Sequence, residues 1–117
     1  MLDEAKAPLF DMVQACDLIL DFTAGKDLAA YRKDTYCKSA VERQFQIVGE
    51  ALNRLVKKHP DMAERIPSCR TIINFRNILV HGYDRIEDEV VWGIIRAHLP
   101  ALRSTVLQML QEDVGRS

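Results

Sequence analysis

At 117 residues the chain is long enough for one hydrophobic core and too short for two, so a single domain spanning residues 1–117 is expected. A composition of 48% hydrophobic and 28% charged residues, with only 7% aromatic, excludes a disordered chain and fits a helix-rich globular protein. The net charge of -1 gives no global drive toward nucleic acid, and no apolar run approaches the roughly 20 residues that span a bilayer, so no membrane partner is expected.

From Leu2 to Phe22 the apolar residues Leu9, Met12, Val13, Cys16, Ile19 and Leu20 recur at spacings of three and four, which predicts an amphipathic helix with Gly25 as its stop. Asp27 to Tyr31 forms a short helical turn, and Asp34 or Thr35 caps the long helix that follows. That helix carries Tyr36, Ala40, Val41, Phe45, Val48, Ala51, Leu52, Leu55 and Val56 as its apolar stripe and ends at His59-Pro60. Asp61 to Ile66 is a further short turn closed by Pro67. Ser68 then caps a helix that Gly82 stops. Glu87-Asp88-Glu89 suits the positive end of a last helix running to about Gln111, in which Pro100 predicts a kink or short break. Nothing alternates with period two. The predicted fold is an all-α bundle of four main helices with one or two short turns.

Charge is uneven along this bundle. Residues 1–30 hold six acids against Lys6 and Lys26, a sum of -4, whereas residues 54–85 hold seven bases against Asp61, Glu64 and Asp84, a sum of +4. A local basic patch can steer a phosphate ligand even on a neutral protein, although a charge run is also what a solvated face looks like. The N-terminus has two acids and no apolar core of a signal peptide, so cytoplasmic residence is expected. Cys16, Cys37 and Cys69 are odd in number and lack C-x-x-C spacing, which argues for reduced, partly buried thiols rather than disulfides or zinc. No metal or other cofactor is expected.

The basic third contains Phe75-Arg76-Asn77-Ile78-Leu79-Val80-His81-Gly82-Tyr83-Asp84, where polar groups interrupt an apolar helix. A charge among Ile72, Ile73, Phe75, Leu79 and Val80 is costly to bury without a partner. At about 100° per residue Arg76 projects beside the Ile72, Phe75 and Leu79 side, while Asn74, Asn77 and His81 form a polar strip. Apolar residues fill the remaining angles, which suggests burial against the chain's own core on one side and a second subunit on the other. Histidine is suited to proton transfer near neutral pH and arginine to a forked grip on phosphate. Together they can support RNA cleavage without a metal. Asn77 could orient the imidazole or donate to phosphate, and Tyr83 could add a hydrogen bond. By chemistry alone the same residues also fit a helix cap or a dimer contact.

Arg76 to Tyr83 resembles the Arg-x4-His-x-Tyr pattern of HEPN-domain toxins of the HepT family. The resemblance extends to Ala40-Val41-Glu42-Arg43-Gln44-Phe45-Gln46-Ile47-Val48-Gly49-Glu50-Ala51 and to Trp92-Gly93-Ile94-Ile95 followed by Leu99-Pro100, covering residues from about 5 to about 110. It implies a bundle that forms a homodimer or a higher oligomer, with two copies of the motif in one cleft. It also implies a metal-independent ribonuclease, the toxin of a toxin–antitoxin pair, silenced by a minimal nucleotidyltransferase antitoxin that attaches AMP to the motif tyrosine. Carried onto this sequence, Arg76 and His81 are the catalytic pair and Tyr83 the modification site. A bulky anionic adduct two residues from His81 would fill the cleft and repel RNA phosphate.

Other polar residues have plainer readings beside functional ones. Glu50 either orients Arg76 or His81 across the bundle or makes an ordinary inter-helix salt bridge. His59 suits a helix C-terminus, His98 has no ligand-like partner in sequence, and Trp92 sits among apolar neighbours as a core or dimer contact. The competing function is a non-catalytic HEPN module that binds a nucleotidyltransferase or a nucleotide.

Overall fold

The computed structural model describes residues 3–82 and 86–116, and all regular structure among them is helical. Two long helices, α1 (Asp3–Thr23) and α3 (Thr35–Lys58), form the central pair. They run antiparallel, because Cys37 Sγ reaches the Phe22 carbonyl at one end while Arg54 meets Asp11 at the other. Their facing stripes supply Leu9, Met12, Cys16 and Ile19 from α1 and Val41, Phe45, Val48, Leu52 and Leu55 from α3, all fully buried. The sequence periodicity thus locates the core.

Gly25 turns the chain with φ of 75°, a left-handed conformation that suits glycine. Asp27 then caps the short α2 (Leu28–Lys33), and the Asp34 carboxylate accepts from the Cys37 N–H to start α3 as expected. Pro60 opens α4 (Pro60–Glu64), one residue earlier than the sequence suggests, since proline at a first helical position sacrifices no hydrogen bond. Next comes α5 (Cys69–His81), packed on α3 through an edge-to-face contact of Phe75 with Phe45 at 5.1 Å.

Beyond it the expected last helix is two: α6 (Asp88–Ala97) and α7 (Leu99–Arg116) meet at His98, so Pro100 marks a break and falls in the first turn of α7. Helix α7 returns along α1, tied by Arg103 to Asp17, and α6 closes over α2 through Trp92 on Tyr31 and through Arg32 paired with Glu89. No described helix is long and apolar enough to cross a membrane.

Two expectations about the core need correction. Tyr36, placed in the apolar stripe of α3, is 90% exposed, because five residues before Val41 it faces about 140° away from the buried Val41, Phe45 and Val48 side. Tyr31 and Met109, not singled out by periodicity, are fully buried. The three thiols are free, and burial pushes each up from its ordinary range, Cys16 to about 12.

Phe45→Ala should cost about 3–5 kcal/mol in urea unfolding, as expected for truncating a fully buried aromatic, whereas Tyr36→Ala should stay within about 0.5 kcal/mol. Equal losses in both variants would contradict this assignment of the core.

Candidate active site

Helix α5 sits on α3 at an unusually small separation. A Cβ built at Gly49 would fall 2.2 Å from Arg76 Cβ and 2.5 Å from Cγ, so the aliphatic stem of Arg76 lies where any other residue would place its own side chain. Ile72 and Phe75 bury the adjoining turn of α5 against α3. This contact fixes the arginine from the inside. Its Nε is buried and has no hydrogen-bond partner among the described residues, while the terminal nitrogens point outward.

Two groups meet that outward end. One terminal nitrogen donates to Asn77 Oδ1 at 3.2 Å, and the other stands 3.8 Å from Glu50 Oε1. The second separation is an ion pair too long for a hydrogen bond, and the Glu50 side chain is 47% exposed, so the carboxylate tempers the charge without occupying the fork. The contact matches the plainer reading of Glu50. It is an inter-helix salt bridge, and its partner is Arg76.

His81 is placed differently. It is the last residue of α5 and is exposed. Five residues from Arg76, it lies about 140° further round the helix and about 7.5 Å along it. One chain thus brings Arg76, Asn77 and Glu50 together and leaves His81 on the outer face beside Ile78 and Val80, which are 55% and 43% exposed. Tyr83 lies outside the described residues, as do Asp84 and Arg85.

Arg76 and Glu50 also line an open groove of about 510 Å³ with Asn53, Arg54 and Lys57 of α3. Gly49, Asn53, Arg54 and Lys57 were not singled out from the sequence as site residues. The signal for the last three was present, because residues 50, 53, 54 and 57 follow the spacing of a single helix face. Among the described residues no group of three or more His, Cys, Asp or Glu side chains is gathered as a metal site would need.

The other two histidines sit at helix boundaries. Ser68 occupies the N-cap position of α5 with φ of 64°, but its hydroxyl does not cap the helix as expected; it lies 2.7 Å from His98 Nδ1 and joins α5 to the α6–α7 junction. His59 ends α3, donating its backbone N–H to the Leu55 carbonyl.

Residues 12–109 match the family described as ribonuclease HepT-like. The chain belongs to this family. Among similar proteins, one of Methanocaldococcus jannaschii named "Putative RNase" is 28% identical over 88% of this chain and 94% of its own length. A protein of Caldanaerobacter subterraneus with the same name is 26% identical over 87% and 90%. "Probable ribonuclease HepT" of Thermococcus cleftensis is 27% identical over 81% and 86%. No solved structure gives a significant match. HepT-like membership bears out the resemblance drawn from the motif, and the helical architecture agrees with it.

Gly49→Ala should force α3 and α5 apart, since backbone-rooted atoms of Arg76 cannot swing away. We expect a loss of about 1–3 kcal/mol in denaturant unfolding, typical of overpacking. A variant as stable as wild type would show that the helices do not approach this closely.

Proposed function

We propose that the protein is a metal-independent endoribonuclease that cuts RNA with Arg76 and His81 in a cleft shared by two copies of the chain. The observation that carries this reading is the state of Arg76: its stem is clamped over Gly49, its Nε is buried, and its head faces an open groove against a single carboxylate 3.8 Å away. An arginine held in this way is pre-organised for an anion, because little side-chain entropy remains to be lost when the anion arrives.

The reaction needs two proton transfers and one site of charge stabilisation. The ribose 2′-oxygen attacks the adjacent phosphorus while an imidazole takes its proton. The bond from phosphorus to the 5′-oxygen then breaks, and that oxygen receives a proton from an imidazolium. A 2′,3′-cyclic phosphate and a 5′-hydroxyl result. Guanidinium groups bind the non-bridging oxygens as their charge grows, the task a metal ion performs in other nucleases. Asn77, hydrogen-bonded to Arg76, orients the guanidinium or donates to the same phosphate.

The angle between the two groups supports a dimer. Arg76 and His81 of one chain diverge by about 140°, so a second copy packed on the exposed α5 face, over Ile78 and Val80, supplies the converging groups. In this reading the protein is the toxin of a toxin–antitoxin pair and works in the cytoplasm. A minimal nucleotidyltransferase silences it by attaching AMP to Tyr83, whose place two residues beyond His81 would put a bulky anion in the cleft.

Purified protein should cleave RNA in the presence of EDTA. Arg76→Ala or His81→Ala should lower kcat by about 10²–10⁴-fold while circular dichroism reports an intact helical fold. Unchanged cleavage in both variants would overturn the assignment, and a pure protein that cuts no RNA yet binds its nucleotidyltransferase or ATP tightly would identify a non-catalytic module instead.

Regulation has its own measurement. Coexpression with the partner nucleotidyltransferase should raise the intact mass by whole AMP units in wild type and not in Tyr83→Phe. A mass gain that survives this substitution would place the modification elsewhere.

A further inference from the structure

We propose that the face of α3 formed by Asn53, Arg54 and Lys57 is an RNA-backbone track, gripping a phosphate next to the one held by Arg76. The proposal rests on the ribonuclease reading and extends it to residues outside the motif. Glu50, Asn53, Arg54 and Lys57 stand at i, i+3, i+4 and i+7, so their side chains emerge from one face of α3 over about 10 Å of helix. Together with Arg76 they line the same open groove of about 510 Å³. Three of these residues are cationic and one is a carboxylate.

The state of each cation suits exchange with phosphate. Arg54 pairs with Asp11 at 3.3 Å, but the two side chains are 54% and 43% exposed, and such a pair contributes so little that it yields readily to a stronger anion. Lys57 is exposed and makes no ion pair with a described residue. Asn53 adds an amide on the same face that can donate to a phosphate or a 2′-hydroxyl. A chain of net charge -1 cannot hold RNA by its overall field, so capture requires a local row of cations continuous with the catalytic arginine. Contacts of this type read the backbone rather than the bases. The track therefore contributes affinity and strand placement without sequence preference. The opposite choice of ligand, an acidic protein surface, explains the cations but not their continuity with Arg76.

The test is binding of a short 2′-O-methyl oligoribonucleotide, which lacks the attacking hydroxyl and stays intact, followed by fluorescence anisotropy across a salt series. Lys57→Gln and Arg54→Gln should each weaken binding about 3–10-fold near 0.15 M salt and reduce the slope of log K against log salt by about 0.7, the loss of one contact to a single strand. Lys33→Gln makes the same charge change at the far end of α3, in the last turn of α2, and should bind like wild type. With cleavable RNA, Lys57→Gln should raise KM and leave kcat nearly unchanged. If Lys57→Gln and Arg54→Gln match Lys33→Gln in affinity and slope, the track is overturned, whatever the nuclease does. Wild type that binds no oligonucleotide overturns it as well. Binding with the expected variant pattern but no cleavage would support the track and retire the nuclease reading alone.

Discussion

The contact on which the site depends is the seating of Arg76 on Gly49. Helices normally keep their distance because side chains stand between them, with axes roughly 8–10 Å apart. At residue 49 nothing stands there, and the arginine stem takes the place of a side chain on α3. The register of α5 on α3 follows, with Phe75 against Phe45 one residue away. Burying a charged residue is affordable because only the stem and Nε are buried; the charge-bearing end reaches the groove, where Glu50 and Asn77 meet it. An arginine held along its length points in one direction, and that direction is set by a glycine on another helix.

The distribution of charge gains meaning from the packing. The acidic first helix spends Asp11 and Asp17 on Arg54 and Arg103, which tie α1 to α3 and α7, and Glu112 likewise holds Arg65. These pairs are largely exposed and contribute little stability individually. Their larger effect is on the surface potential. Acids and bases that balance over the whole chain are sorted so that the groove is lined by three cations and one carboxylate, with Asp11 of α1 paired to Arg54.

Much of this was legible in the sequence because it depends on local rules. The three-and-four spacing of apolar residues located α1 and α3, Asp34 caps where a capping residue was expected, and Pro100 marks a break. Arg76 announced itself as a charge in an apolar helix. What was not legible depends on neighbours from elsewhere in the chain. The Ser68 hydroxyl turns from its own helix to His98, thirty positions away. Gly49 carries no sign in sequence that an arginine will lie on it. The divergence of Arg76 and His81 could be computed from spacing alone, yet its consequence appears only when the core side of α5 is known.

That divergence separates the two groups physically as well as geometrically. The Arg76 side chain is 22% exposed and its stem is held by packing over Gly49. His81 stands at the end of α5 on the exposed face. In the proposed nuclease these are suitable properties for the two roles: the guanidinium must meet charge at a fixed place, whereas an imidazole that gives and takes protons must reach both the 2′-oxygen and the 5′-oxygen. In the proposed dimer, a second copy would do more than add surface. With one chain's arginine rooted in its core and the histidines gathered on the joining faces, each phosphate can be held from one side while proton transfer proceeds from the other.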